Sequence, residues 1–192
     1  MSDTHVTAIG RLVHEVEAIV ASPDASPDAF LARLTAPLAA LVARDDWIDP
    51  AYAAPDPDRY RQYLLHRDPQ ERFSVVSFVW GPGQATPIHD HRVWGLVGVL
   101  RGAEVDQRYV RVENGKLHPV GAPTRLEPGA VATLSPETGD IHRVSNAYDD
   151  RVSISIHVYG ADIGRVERAT FTEAGTARPF ISGYTEPAQV TA

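Results

Sequence analysis

Residues 83–102 read GQATPIHDHRVWGLVGVLRG, and the fold class turns on this stretch. Gly83, Pro87, Gly95 and Gly102 punctuate it, and Gly95–Leu100 between them is a short apolar run of strand type. His89 and His91 stand two apart after Pro87, so in an extended segment both imidazoles project from one side. The same texture continues outward in both directions. Phe73–Trp80, Glu104–Val112, Ala130–Leu134 and Val152–Tyr159 are further runs rich in Val, Ile, Phe and Tyr. Asn114-Gly115, between Val112 and Leu117, is a hairpin turn signal, because Gly and Asn tolerate the positive φ that such turns need. Turn residues recur every eight to twelve positions with no helical stretch between them, which predicts a β-sandwich or barrel over about 59–171.

The first fifty residues have a different period. Val6, Ile9, Leu12, Val13, Val16, Ile19 and Val20 recur at spacings of three and four, drawing one apolar helical stripe that Ser22-Pro23-Asp24 ends. Ser26 then reads as an N-cap with Pro27 at the first helical position and Asp28 in the first turn. Phe30, Leu31, Leu34, Leu38, Leu41 and Val42 form a second stripe, in which Pro37 is expected to kink or split the helix. The expectation is one mainly-β domain over 1–192, with a helical cap over 1–50 and a C-terminal extension over 172–192. Its tail from Pro187 is expected to fray.

Composition narrows the functional classes. The chain has 192 residues, 18 basic against 25 acidic, for a net charge of −7. That balance lacks the basic footprint for a nucleic-acid partner. The N-terminal residues carry no long apolar core, and runs such as Ala36–Ala43 fall far short of the ~20 residues of a membrane helix. A cytoplasmic protein with no membrane partner is expected. Cysteine is absent, which excludes disulfides, thiolate metal sites and cysteine nucleophiles. Histidine, with 8 residues, is left as the soft ligand type available in number.

A single histidine is ordinarily a surface or core residue, and His5, His14, His66 and His118 are read that way. His89 and His91 differ, because Gly139-Asp140-Ile141-His142 brings a third histidine about fifty residues later, far enough to return on a neighbouring strand. On the last predicted strand, alternation sets Ser155, His157 and Tyr159 on one face and Ile154, Ile156 and Val158 on the other.

These spacings resemble the cupin family. Gly83, His89, His91, Gly95 and Gly102 follow its first motif, except that Gly95 stands where most cupins carry a metal-binding Glu. Pro136, Gly139, His142 and Asn146 follow the second in order, with one extra residue after the proline; Asn146 is read as a turn residue. The resemblance implies a double-stranded β-helix barrel with His89, His91 and His142 as metal ligands. Three neutral imidazoles leave a divalent ion its full charge and up to three open positions, which favours an anionic substrate bound directly.

A cupin with three histidines and no Glu resembles the thiol dioxygenases of the cysteine dioxygenase superfamily. Trp80-Gly81-Pro82-Gly83, Ile88-His89-Asp90-His91, Trp94-Gly95, Gly139-Asp140-Ile141-His142 and Ser155-Ile156-His157-Val158-Tyr159 carry the likeness, from about Tyr60 to Phe171. It implies Fe(II) as cofactor, O2 and a small thiol as partners, a sulfinic acid as product, and Ser155-His157-Tyr159 as an outer-sphere relay. Members of the mammalian type place an Arg where this chain has Gln62, and carry a Cys that crosslinks to the active-site Tyr. Both departures resemble the bacterial 3-mercaptopropionate dioxygenase branch, where Arg168 is the matching basic position for the substrate carboxylate. Arg165 is its local alternative, and a solvated surface charge is the plain reading of either. Trp80 and Trp94 are read as packing residues. Cysteine dioxygenation, another metal cupin using Zn, Mn or Ni, and a non-catalytic sensory cupin stay open as alternatives, though the full set of histidines and the relay row argue against the last. The sequence sets no oligomeric state.

Overall fold

A computed structural model describes residues 7–22 and 26–187. His5, Val6, Pro23, Asp24 and the tail over 188–192 lie outside the described residues.

Helix α1, Ala8–Val20, starts where the Thr7 hydroxyl accepts the Gly10 N–H at 3.1 Å. It buries Leu12, Val16 and Ile19, part of the predicted stripe. Helix α2, Pro27–Val42, opens with Ser26 accepting from the Ala29 N–H at 3.2 Å and Pro27 in the first turn. Of the kink or split expected at Pro37, the split does not occur: α2 runs through it as one helix. Pro37 is itself buried, with Leu34 on one side and Leu38 and Leu41 on the other, all buried. Their burial offsets the roughly 3 kcal/mol that an interior proline costs.

The strands are β1 Arg61–Arg67, β2 Ser74–Trp80, β3 Ile88–His89, β4 Gly95–Arg101, β5 Glu104–Arg111, β6 Leu117–Leu126, β7 Val131–Leu134, β8 His142–Asn146, β9 Ser153–Tyr159, β10 Arg168–Phe171 and β11 Ala177–Phe180. One sheet has the order β1-β2-β9-β4-β7 and the other β11-β10-β3-β8-β5-β6, with antiparallel pairing throughout. They face each other as a double-stranded β-helix barrel, the expected mainly-β class. The β5–β6 hairpin closes at Asn114-Gly115, with Gly115 at φ 81°. The C-terminal extension contributes β11, which adds to the barrel's second sheet beside β10.

Strand β9 is buried on both faces, and its alternation explains why. Ile154, Ile156 and Val158 join Leu12, Val16, Leu34, Leu38 and Leu41 in a core between helices and sheet. The other face looks into the barrel, where Tyr159 packs with Val76, Phe78, Trp80, Val144 and Ile163. Gly98 in β4 allows α2 to lie close, since a Cβ there would come within 2.9 Å of Leu38 Cγ. The helices therefore cap the outside of one sheet. No helix among the described residues is long and apolar enough to cross a membrane.

Candidate metal centre and adjoining cavity

The three histidines of the predicted set converge inside the barrel. His89 ends β3 and pairs in register with His142 at the start of β8. His91 lies two residues beyond, in the turn into β4. Their ring centroids form a near-equilateral triangle of 4.8, 4.8 and 4.9 Å, and one ligand atom from each lies within 4.8 Å of the others.

Each Nδ1 is engaged outside the triangle. His89 Nδ1 meets Pro87 O at 3.0 Å, His91 Nδ1 meets Asp140 O at 3.1 Å, and His142 Nδ1 meets Asp106 Oδ1 at 2.7 Å. All three acceptors are oxygens, so each Nδ1 carries the proton and each Nε2 lone pair is free to face the centre. Burial first, and the neighbouring imidazoles next, hold His89 and His91 well below the usual imidazole range, which keeps them neutral. Three buried, pre-oriented imidazoles suit a divalent transition metal.

Two aspartates that the sequence reading passed over orient this triangle. The Asp140 carboxylate accepts the backbone N–H groups of His91 at 2.9 Å and Arg92 at 2.8 Å, holding Arg92 in the left-handed region at φ 60°. Burial would push the Asp106 carboxyl up, but the His142 hydrogen bond and the Arg108 guanidinium at 2.9 Å hold it below its ordinary range. Asp106 is thus an ionised partner that fixes the His142 ring. The sequence did carry a signal: period two puts Glu104 and Asp106 on one face of β5, and both are buried. Nothing in the alternation itself tells which face is interior.

Gly95 lies beside the centre. A Cβ at this position would meet Tyr159 Cδ1 at 2.9 Å and Leu134 Cδ1 at 3.1 Å. The tyrosine ring occupies the space into which a side chain at 95 would extend, and it stacks on His91 at 5.4 Å.

The Ser155-His157-Tyr159 row forms a continuous hydrogen-bonded chain. Ser155 Oγ lies 2.8 Å from His157 Nε2, and His157 Nδ1 lies 2.7 Å from Tyr159 Oη. Phe78 stacks on His157 at 4.1 Å, and burial holds that imidazole well below its usual range. Burial pushes the Tyr159 phenol far up, so it keeps its proton. Trp80 packs as expected, but its indole N–H also donates to Ser155 Oγ at 3.3 Å.

Glu104, at the start of β5, is fully buried, with neither carboxyl oxygen in hydrogen-bond geometry. Burial pushes its pKa up and the flanking Ser155 hydroxyl and Trp80 indole draw it down, leaving it raised from 4.5 to about 7. Between those two values the folded chain holds a proton that the unfolded chain has released. Its contribution to stability is therefore fully present below pH 4.5 and is lost, by roughly 3 kcal/mol, as pH rises to about 7. Urea titrations at pH 4.5 and 8 should show wild type losing about that much more than Glu104→Gln; equal losses in both would refute this titration.

Beside the triangle lies a cavity of about 260 Å³, lined by Tyr60, Gln62, Phe78, His89, Tyr159 and Arg168 among others. Arg168, at the start of β10, is only 3% exposed; one guanidinium nitrogen donates to Ser182 at 2.7 Å and the group lies over the Phe180 ring at 4.6 Å. Its Nε is buried without a partner. Arg165 is elsewhere: its side chain is 66% exposed and pairs with Glu71 and Asp162. Of the two arginines, Arg168 alone lines the cavity. Gln62 reaches the same cavity from β1, whose backbone is tied to Thr185 in the C-terminal segment. Trp94 packs edge-on against Phe30 at 5.1 Å, outside the cavity.

A family model described as cysteine dioxygenase type I matches residues 28–170, about three quarters of the chain. Among solved structures, a Thermus thermophilus protein is similar at 20% identity and TM-score 0.46, over 58% of this chain and 92% of that one. A Klebsiella pneumoniae protein with a double-stranded β-helix domain is similar at 19% and 0.47, over 58% and 80%. A cupin-2 domain from Rhodospirillum rubrum is similar at 17% and 0.46, over 65% and 75%.

Proposed function

The chain belongs to the cysteine dioxygenase type I family, and from that premise we propose that it is an Fe(II)-dependent thiol dioxygenase acting on a small carboxylated thiol, 3-mercaptopropionate in preference to cysteine. In this reading His89, His91 and His142 hold the iron through Nε2. Bound Fe(II) would supply the O2 chemistry by which both oxygen atoms pass to sulfur, taking a thiol to a sulfinate.

The observation that carries the reading is the pairing of a buried, incompletely satisfied Arg168 with the histidine triangle across one small cavity. A guanidinium with a free buried N–H is a ready partner for a carboxylate, which would restore its lost solvation. Arg168 binds the substrate carboxylate, and the thiol end is directed to the histidines. Tyr159, protonated and stacked on His91, presents its phenol to the same space. His157 and Ser155 hold that phenol in place. Phe78, Tyr60 and Phe180 line the cavity with rings beside these polar contacts.

Preference against cysteine rests on the rest of the lining. No Asp or Glu side chain lines the cavity among the described residues, so no carboxylate is present to receive a substrate ammonium. Gln62 is neutral where a second cation would stand in the mammalian type.

The test is oxygen uptake by the Fe(II)-loaded chain with 3-mercaptopropionate, cysteine and cysteamine, followed by product identification. The expected result is stoichiometric sulfinate and the highest kcat/KM for 3-mercaptopropionate. Gln62→Arg should move the preference toward cysteine. An unchanged preference would sink the role given to Gln62, and no uptake with any thiol would sink the reading itself.

A further inference from the structure

The family match ends at residue 170, yet Phe180, ten residues beyond it, lines the cavity. Strands β1 and β11 are edge strands of the two sheets, and the segment after β11 runs from one to the other. Phe180 stands in register with Arg168 on β10, and the guanidinium lies over its ring at 4.6 Å. Two residues on, Ser182 Oγ accepts from Arg168 Nη2 at 2.7 Å. The Gly183 N–H donates to Gly164 O at 3.1 Å, and Tyr184 Oη accepts the Gly164 N–H at 3.0 Å while donating to Asp162. The Tyr184 ring lies so close that a Cβ at residue 164 would come within 2.4 Å of it. Thr185 then fastens the free edge of β1: its N–H donates to Gln62 O at 2.7 Å, and its hydroxyl accepts the Gln62 N–H at 3.2 Å. One short segment thus holds the Arg168 side chain at one end and the Gln62 main chain at the other.

We propose that the segment Phe180–Thr185 is a specificity element, in which Ser182 sets the orientation of the Arg168 guanidinium and Thr185 fixes Gln62 relative to it. An arginine side chain has large rotamer freedom, and its planar fork meets a carboxylate squarely only when its orientation is set. The two contacts divide that task. The Phe180 ring restrains the plane of the guanidinium, but lets it turn within that plane. The Ser182 hydroxyl pins Nη2 and stops the turning, while Nε–H is left without a partner. The chemistry of the anchor matters as well. A carboxylate at 182 would pair with the guanidinium and cancel its charge, whereas a neutral hydroxyl holds it and leaves the charge for a ligand. Ser182 is therefore a positioning residue that acts through Arg168. Its effect on a carboxylated thiol rests on the dioxygenase reading; the anchoring of Arg168 and its response to a simple carboxylate do not.

The test is the proton–nitrogen NMR spectrum of the metal-free full-length chain titrated with propionate, a carboxylate without a thiol. The Arg168 Nε–H signal is identified by its loss in Arg168→Lys, and in wild type it should shift and saturate. Ser182→Ala should weaken propionate binding roughly tenfold. Ser182→Thr keeps the hydroxyl and should restore binding, whereas Ser182→Asp should weaken it more than Ser182→Ala does. Thr185→Val leaves Ser182 in place but loosens the segment. It should weaken binding by itself and add little to Ser182→Ala, because the two act through one element. In the Fe(II)-loaded enzyme, Ser182→Ala should raise KM for 3-mercaptopropionate by the same factor with a much smaller change in kcat, and cysteamine should respond far less. Equal propionate binding by wild type and Ser182→Ala, fully additive losses in the double variant, or an Arg168 signal indifferent to propionate in wild type each overturn the proposal. The spectrum needs neither iron nor thiol, so it can succeed where oxygen uptake fails. Uptake selective for 3-mercaptopropionate and unaltered in Ser182→Ala would leave the dioxygenase reading standing and remove this inference.

Discussion

His142→Ala is expected to leave the chain unable to retain iron and without thiol-dependent oxygen uptake. The triangle offers three Nε2 atoms and no carboxylate, so removing one leaves two neutral ligands for a divalent ion. The same substitution strips Asp106 of its 2.7 Å partner and leaves a buried carboxylate held by Arg108 alone. Losing an outer partner of a ligating histidine typically costs roughly 10–100-fold in metal affinity. Asp106→Asn should show a loss of that size, and His142→Ala a larger one. Metal content after dialysis, with competition against a chelator of known affinity, measures both. Far-ultraviolet circular dichroism separates lost metal from lost fold. Full iron occupancy in His142→Ala would remove His142 from the ligand set.

Arg168→Ala should distinguish substrates by their carboxylate. Truncating one partner of a buried charged hydrogen bond costs about 2–5 kcal/mol. At about 1.4 kcal/mol per tenfold, that corresponds to a loss of roughly thirty- to several-thousand-fold in kcat/KM for 3-mercaptopropionate. Cysteamine, which has no carboxylate, should change far less. Arg168→Lys should fall between, because an ammonium keeps the charge but not the planar fork. Equal losses for both thiols would mean that Arg168 supports the cavity wall through Ser182 and Phe180 without reading the substrate.

Much of the architecture was legible because it depends on local periodicity. The strands at Ser74–Trp80, Gly95–Arg101, Glu104–Arg111, Val131–Leu134 and Ser153–Tyr159 lie within a residue of their apolar runs, and α1 and α2 follow their stripes. The split expected at Pro37 is absent for the opposite reason. A local rule against interior proline gave way to the burial of Leu34, Leu38 and Leu41, a tertiary quantity. Strand β3, at two residues, is too short to have a period, and β10 and β11 are defined by their partners across the sheet.

The candidate site divides along the same line. The Ser155-His157-Tyr159 row could be named from spacing, because i and i+2 on a strand share a face whatever the rest of the chain does; His89, His91 and His142 could be named from their recurrence in glycine-punctuated segments. Spacing within one strand cannot say what stands opposite. That Asp106 meets His142, that Glu104 is buried without a partner, and that Arg168 and not Arg165 enters the cavity were decided only when the two sheets closed on each other. The sequence by itself determined the barrel, its helical cap and the residue types available to hold a metal. The tertiary structure decided which buried charges pair across the interior and which are left unpaired, because distance and desolvation are properties of the closed barrel and of no single strand.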